Sequence, residues 1–149
     1  MLVPIGESLW SVDTLLAQPG GVLLPGRCVI ARLPDGALWM HSPVHLEDAV
    51  AAEIDALGEV RTIVAPNLLH YRFVADTARR WPRAAVLGAP GLARKCAGIP
   101  FTGVLEDGPH ASVFTALHLN GIPGLEEVVF LHEPTGTLLV TDFVFNFAG

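Results

Sequence analysis

Charge is scarce in this chain: Asp, Glu, Lys and Arg make up only 16% of its 149 residues. The nine basic side chains are outnumbered by fifteen acidic ones, for a formal charge of −6. They are scattered, and Arg79-Arg80 and Arg94-Lys95 are the only adjacent pairs. Nucleic-acid binders gather Lys and Arg on one face, so a phosphate-backbone partner is argued against. The two pairs read instead as solvated helix ends that suit the helix dipole. Cysteine is nearly absent. Cys28 sits in a strand-like run and Cys96 far from it, which gives neither a CxxC pair nor a disulfide framework, so both read as small, buried or idle thiols. No apolar run approaches the roughly 18 residues that span a bilayer. The start, MLVPIGESLW, lacks a basic segment followed by a long apolar stretch. A cytoplasmic protein with no membrane partner is expected. Gly-x-Ser-x-Gly and the phosphate loop ending in Gly-Lys-Ser/Thr are both missing, and Gly20-Gly21 lacks the third glycine of a dinucleotide site.

What is present is apolar: 51% of the residues are hydrophobic and the mean hydropathy is +0.48. Part of such a surface is expected to meet a partner, either a second copy in a homo-oligomer or a small-molecule ligand. The length suits a single domain over residues 1–149. Ser8 to Leu16 reads as an opening strand, ended by Gln18-Pro19-Gly20-Gly21. Arg27 to Leu33 and Ala37 to Met40 read as a hairpin across Pro34-Asp35-Gly36. Ser42-Pro43 has the form of a helix cap and first helical position. Leu46, Val50, Ile54 and Leu57 then make one apolar stripe, which stops at Gly58. Val60 to Ala65 is a short strand leading to Asn67-Leu68-Leu69-His70, and a helix is expected over about Tyr71 to Arg80. Ala84 to Gly88 is strand-like, Gly91 to Cys96 helical, and Val113 to Leu119 alternates as a half-buried strand does.

The most informative stretch is Gly121 to Asn146. Glu127 to His132 and Thr137 to Thr141 are β-rich runs around Glu133-Pro134-Thr135-Gly136, a hairpin whose second strand ends at Asp142. A carboxylate there either caps the next turn or has a partner in a site, because burying it alone costs several kcal/mol. Pro-Gly, strand, acidic turn, strand and Asp, in that order, resembles the third and fourth conserved blocks of the metallo-β-lactamase superfamily. Thr-Leu-Leu-Val-Thr-Asp-Phe-Val-Phe-Asn with Ala-Pro-Asn-Leu-Leu-His upstream is most similar to a degenerate bacterial branch of unknown function, over roughly residues 8 to 146. The resemblance implies an α+β fold, the αβ/βα sandwich of mixed sheets with outer helices. It also implies a second half that is either abbreviated or completed by another chain.

In that superfamily a His-x-His-x-Asp-His block follows the strand placed at Val60 to Ala65, and its imidazoles hold a metal that acidifies water. Here the segment reads Asn67-Leu68-Leu69-His70-Tyr71-Arg72-Phe73, so only His70 is a good ligand and the complete dinuclear site is missing. By resemblance His70, His118 and Asp142 could hold one divalent ion, zinc or iron, with an open position; no metal at all is the other reading. His118 could equally be a structural strand histidine. His132 reads as solvent-facing, and His41 and His45, flanking the expected helix start, as surface residues. Two functions stay open: a hydrolase-like protein with at most a reduced metal site, or a non-catalytic binding or assembly protein on the same fold.

Overall fold

The computed structural model describes residues 1–17 and 19–144; Gln18 of the first turn and the Phe145-Asn146 end of the resemblance lie outside the described residues. Eleven strands and three helices follow in order among them. β1 (Val3–Gly6), β2 (Leu9–Ala17), β3 (Leu23–Arg32) and β4 (Leu38–His41) precede α1 (Asp48–Leu57) and β5 (Val60–Ala65). Next come α2 (Val74–Arg80), β6 (Ala85–Gly88), α3 (Leu92–Lys95) and β7 (Gly103–Val104). β8 (Gly108–His110), β9 (Phe114–His118), β10 (Val128–His132) and β11 (Thr137–Leu139) complete the chain.

The first seven strands form one sheet in sequence order. Its first half is antiparallel through hairpins, and from β4 to β7 it is parallel, because each crossover carries a helix or long loop. The last four strands form a second, antiparallel sheet ordered β11-β10-β9-β8. Strand alternation sorts the core into two layers. Cys28, Ile30, Leu38, Met40 and Ile63 face the side packed by α1, α2 and α3. Their neighbours Val29, Ala31, Trp39 and Val64 face the second sheet and meet Phe114, Val128 and Phe130. Trp39 is fully buried, with its ring 4.2 Å from Phe114 and 5.1 Å from Phe130. Truncating a tryptophan so placed costs about 3–5 kcal/mol.

The expected elements mostly hold, with shifted ends. β3 begins at Leu23, four residues before the expected start, because it pairs with β2 as far as Ala17↔Leu23. β1, β7 and β8 were not expected; they are two to four residues long and rich in Gly and Pro, and pairing with a neighbour rather than periodicity defines them. The apolar stripe of α1 is as read, with Val50, Ala51 and Ile54 buried. Its start is not: α1 begins at Asp48 after Glu47, with no side-chain cap. Ser42 has a left-handed φ of 54° and belongs to the turn that leaves β4. Gly58 ends α1 as expected, and a Cβ there would lie 2.4 Å from the Gly36 carbonyl in the β3–β4 turn, so no other residue fits.

Candidate active site

Three chain segments meet at one end of the sandwich: the turn leaving β4, the loop leaving β5, and the residues following β11. Asn67 organises the meeting. Its Oδ1 accepts the backbone N–H groups of Leu69 and His70, each at 2.8 Å, which turns the loop so that the His70 ring faces Ser42 and Asp142. Its Nδ2 donates to Thr141 Oγ1 at 2.9 Å and to Asp142 Oδ2 at 2.8 Å. Asn67 is wholly buried, as a polar residue can be only when its bonds are made.

Glu127, equally buried, fixes the third segment. Its carboxyl accepts the backbone N–H groups of Thr141 and Asp142 at 2.8 Å and of Phe143 at 3.0 Å. Three bonds from consecutive amides define where Asp142 stands. Nothing in the sequence marked Glu127, since one acidic residue at the start of a strand looks like any turn charge.

The histidine at the centre uses both ring nitrogens: Nδ1 lies 2.6 Å from Ser42 Oγ, and Nε2 lies 3.1 Å from Asp142 Oδ2. Burial alone would raise the Asp142 pKa, but the hydrogen bond and charge of His70 and the Asn67 amide outweigh it and hold the carboxylate below its ordinary value. A carboxylate can only accept, so Nε2 carries a proton; in the tautomer that leaves Nδ1 bare, the Ser42 hydroxyl donates to Nδ1. Ser42, read from the sequence as a helix cap, is instead part of this chain of bonds.

Of the other predicted positions, His118 stands on β9 with Nε2 2.8 Å from Glu126 Oε2. The structure thus brings His70 and Asp142 together and gives His118 a different partner. Among the described residues no three or more His, Cys, Asp or Glu side chains are grouped so as to hold a metal ion. Among the described residues both ring nitrogens of His70 are engaged and Glu127 is taken up by backbone amides.

Two histidines depart from their expected surface positions. His41 is 2% exposed, stacked on Trp39 and edge-on to Phe130. Its Nε2 has no partner among the described residues. Burial first, and the nearby His70 second, push its pKa down to about 3. His132, expected to face solvent, is buried with Nδ1 2.8 Å from Thr135 Oγ1, and burial lowers its pKa. In both cases the inward pleat of the strand decides, not the residue type. His45 is exposed, as expected.

Ser42, His70 and Asp142 line one cavity of about 470 Å³. Leu16, Leu24, Pro25, Val44, Leu69 and Phe73 give it an apolar wall. Two arginines also reach it. Arg27 is bound bidentately by Asp13, whereas Arg72 lies over the Phe73 ring at 5.3 Å with no carboxylate partner among the described residues. A second cavity of similar volume lies beside α3, between Leu68, Arg94 and Glu126, and contains none of these three residues.

Residues 6–148 match the family described as Domain of unknown function (DUF4336). No curated protein matches. Among solved structures the chain is similar to a metallo-β-lactamase from Hirschia baltica, at 16% identity and a TM-score of 0.70 over 93% of this chain and 68% of that one. It is similar to DIM-1 metallo-β-lactamase exposed to ceftazidime, at 8% identity and 0.71, over 90% of this chain and 65% of that one. The mono-zinc form of metallo-β-lactamase FIM-1 from Pseudomonas aeruginosa follows at 13% and 0.60, over 87% and 63%. The chain therefore spans about two thirds of the length of these structures, and at such identities the likeness shows the fold: a metallo-β-lactamase-like α+β sandwich, as the sequence implied.

Proposed function

The chain belongs to the DUF4336 family, and on that footing we propose that it is a hydrolase-like protein whose working cleft is the cavity at the His70–Asp142 pair. One observation carries this reading: a 470 Å³ cavity with apolar walls is also lined by Ser42, His70 and Asp142, which bond to one another in series, the mix of apolar wall and a few placed polar groups that small-molecule sites take. The ligand that fits has an apolar body and a carbonyl or carboxylate head. The head would face His70 and Ser42, with Arg72 on the wall to balance negative charge.

Hexanoate tests the cleft directly. Its binding should raise the melting temperature progressively with concentration, because a ligand that binds only the folded state stabilises it by mass action. Leu24→Arg, which puts a bulky charge in the apolar wall, should remove the shift. No shift with hexanoate, or one that Leu24→Arg leaves intact, overturns the reading.

A second reading draws support from the fold neighbours, one of them a mono-zinc form: a single zinc or iron ion held by His70 and Asp142 in place of their mutual bond. Metal content of protein purified without a histidine tag discriminates. About one equivalent per chain, lost in Asp142→Ala, favours the ion; under about a tenth after metal is added back favours the metal-free cleft.

A further inference from the structure

We propose that Ser42 is a nucleophile and His70 its general base, so that this cleft carries out acyl transfer on esters of apolar acids without a metal ion. The proposal rests on the reading of the cavity as the working cleft and names its chemistry. Three observations support it. Ser42 Oγ is 2.6 Å from His70 Nδ1, and the opposite ring nitrogen is 3.1 Å from Asp142 Oδ2. A hydroxyl, an imidazole and a carboxylate in series are what activate a serine, whatever fold holds them. Second, Ser42 adopts a left-handed backbone at the end of a strand, pinned by its N–H to the Val64 carbonyl at 2.9 Å. Such strain in a residue other than glycine costs of order 1–3 kcal/mol and persists where surrounding structure imposes it. Third, the serine is otherwise buried and lines the cavity.

The step balances with water as the only co-reactant. Oγ attacks the ester carbonyl carbon as its proton passes to His70 Nδ1, and Asp142 steadies the imidazolium through Nε2–H. The bond to the alkoxide then breaks, and the proton on Nδ1 leaves with the alcohol. Water next gives a proton to Nδ1 and its hydroxide to the acyl carbon. Oγ leaves, recovers that proton, and the free acid departs. Pro43 has no N–H, so the amide following the serine cannot steady the oxyanion. Among the described residues Arg72 is a cation lining the same cavity without a carboxylate partner, and in this proposal it takes that part.

The test is labelling with an alkyl fluorophosphonate, in which Oγ displaces fluoride to form a stable phosphonyl ester, read by intact mass and peptide mapping on chelator-treated full-length protein. One adduct per chain at Ser42 is expected. Its rate should fall at least about 100-fold in His70→Ala. Ser42→Gly, which suits the left-handed backbone and should fold, should take none. Asp142 is a positioning residue: in Asp142→Asn the nitrogen-15 shifts of His70 should report the proton moved off Nε2. Absence of an adduct on folded protein, an adduct elsewhere, or a rate unchanged in His70→Ala overturns the proposal. Hexanoate binding with no adduct overturns the nucleophile and leaves the cleft standing; loss of both removes both.

Discussion

Replacing His41 with Phe should flatten the acid side of the stability profile. His41 is buried on the inner face of β4, with Nε2 unpartnered among the described residues and a pKa pushed down to about 3. In the unfolded chain the same ring takes a proton near 6.5. Between these values the unfolded state binds a proton that the native state refuses, so stability is complete above about pH 6.5 and is lost as pH falls towards 3. The slope is about 1.4 kcal/mol per pH unit, and between pH 6.5 and 4.5 His41 alone withdraws about 2.5 kcal/mol. Burial also lowers the pKa values of His110 and His132, which add losses of the same sign. Asp142, held low as well, contributes only below about pH 4, when its carboxylate begins to protonate in the unfolded chain. Phe keeps the stacking on Trp39 and removes both the titration and the unpaired nitrogen. Urea unfolding followed by tryptophan fluorescence at pH 7.5, 6.5, 5.5 and 4.5 should therefore show the variant losing about 2–3 kcal/mol less than the native chain from pH 6.5 to 4.5. Equal losses in the two proteins would refute the assignment.

Two other residues give sharp expectations. Glu127→Gln puts an amide NH2 against backbone donors that now have carboxyl oxygens, and should cost about 2–4 kcal/mol in chemical denaturation; a loss below about 0.5 kcal/mol would show that these bonds do not hold the segment. Cys28 is fully buried, which pushes its thiol pKa up to about 12, whereas Cys96 is partly exposed. A disulfide reagent at pH 8 should titrate one thiol in the native protein and the second only with unfolding.

Reading the sequence succeeds where a single period governs a segment. The stripe of α1, the apolar β5 and the hairpin around Glu133-Pro134-Thr135-Gly136 are each set by local pattern, and so each is legible. Asp142 was legible in part: a strand-end carboxylate needs a partner, and His70 and Asn67 supply it. Ser42 was misread because Ser-Pro is a sound helix opening in isolation; what overrides it is a contact with His70, 28 residues later. His41 and His132 were misplaced for a similar reason. Whether a strand histidine points in or out depends on register with neighbours that no short window contains. The bonds of Glu127 span 14 to 16 residues and join the start of one strand to the turn beyond the next, again outside any short window.

The clasps at this end of the sandwich bear on how the domain breathes. Val128 donates its N–H to the Pro66 carbonyl, Leu68 donates to Leu125, and Asn67 reaches across to Thr141 and Asp142, so the two sheets are tied where the cavity lies. Fluctuations then start more readily at strand ends outside these ties, as in the short and exposed edge strand β1. A cleft placed beside such a seam is held in shape before any ligand arrives. Its occupant enters a form whose ordering cost was met when the chain folded, and recognition there proceeds by fit to a standing shape rather than by closure around the guest.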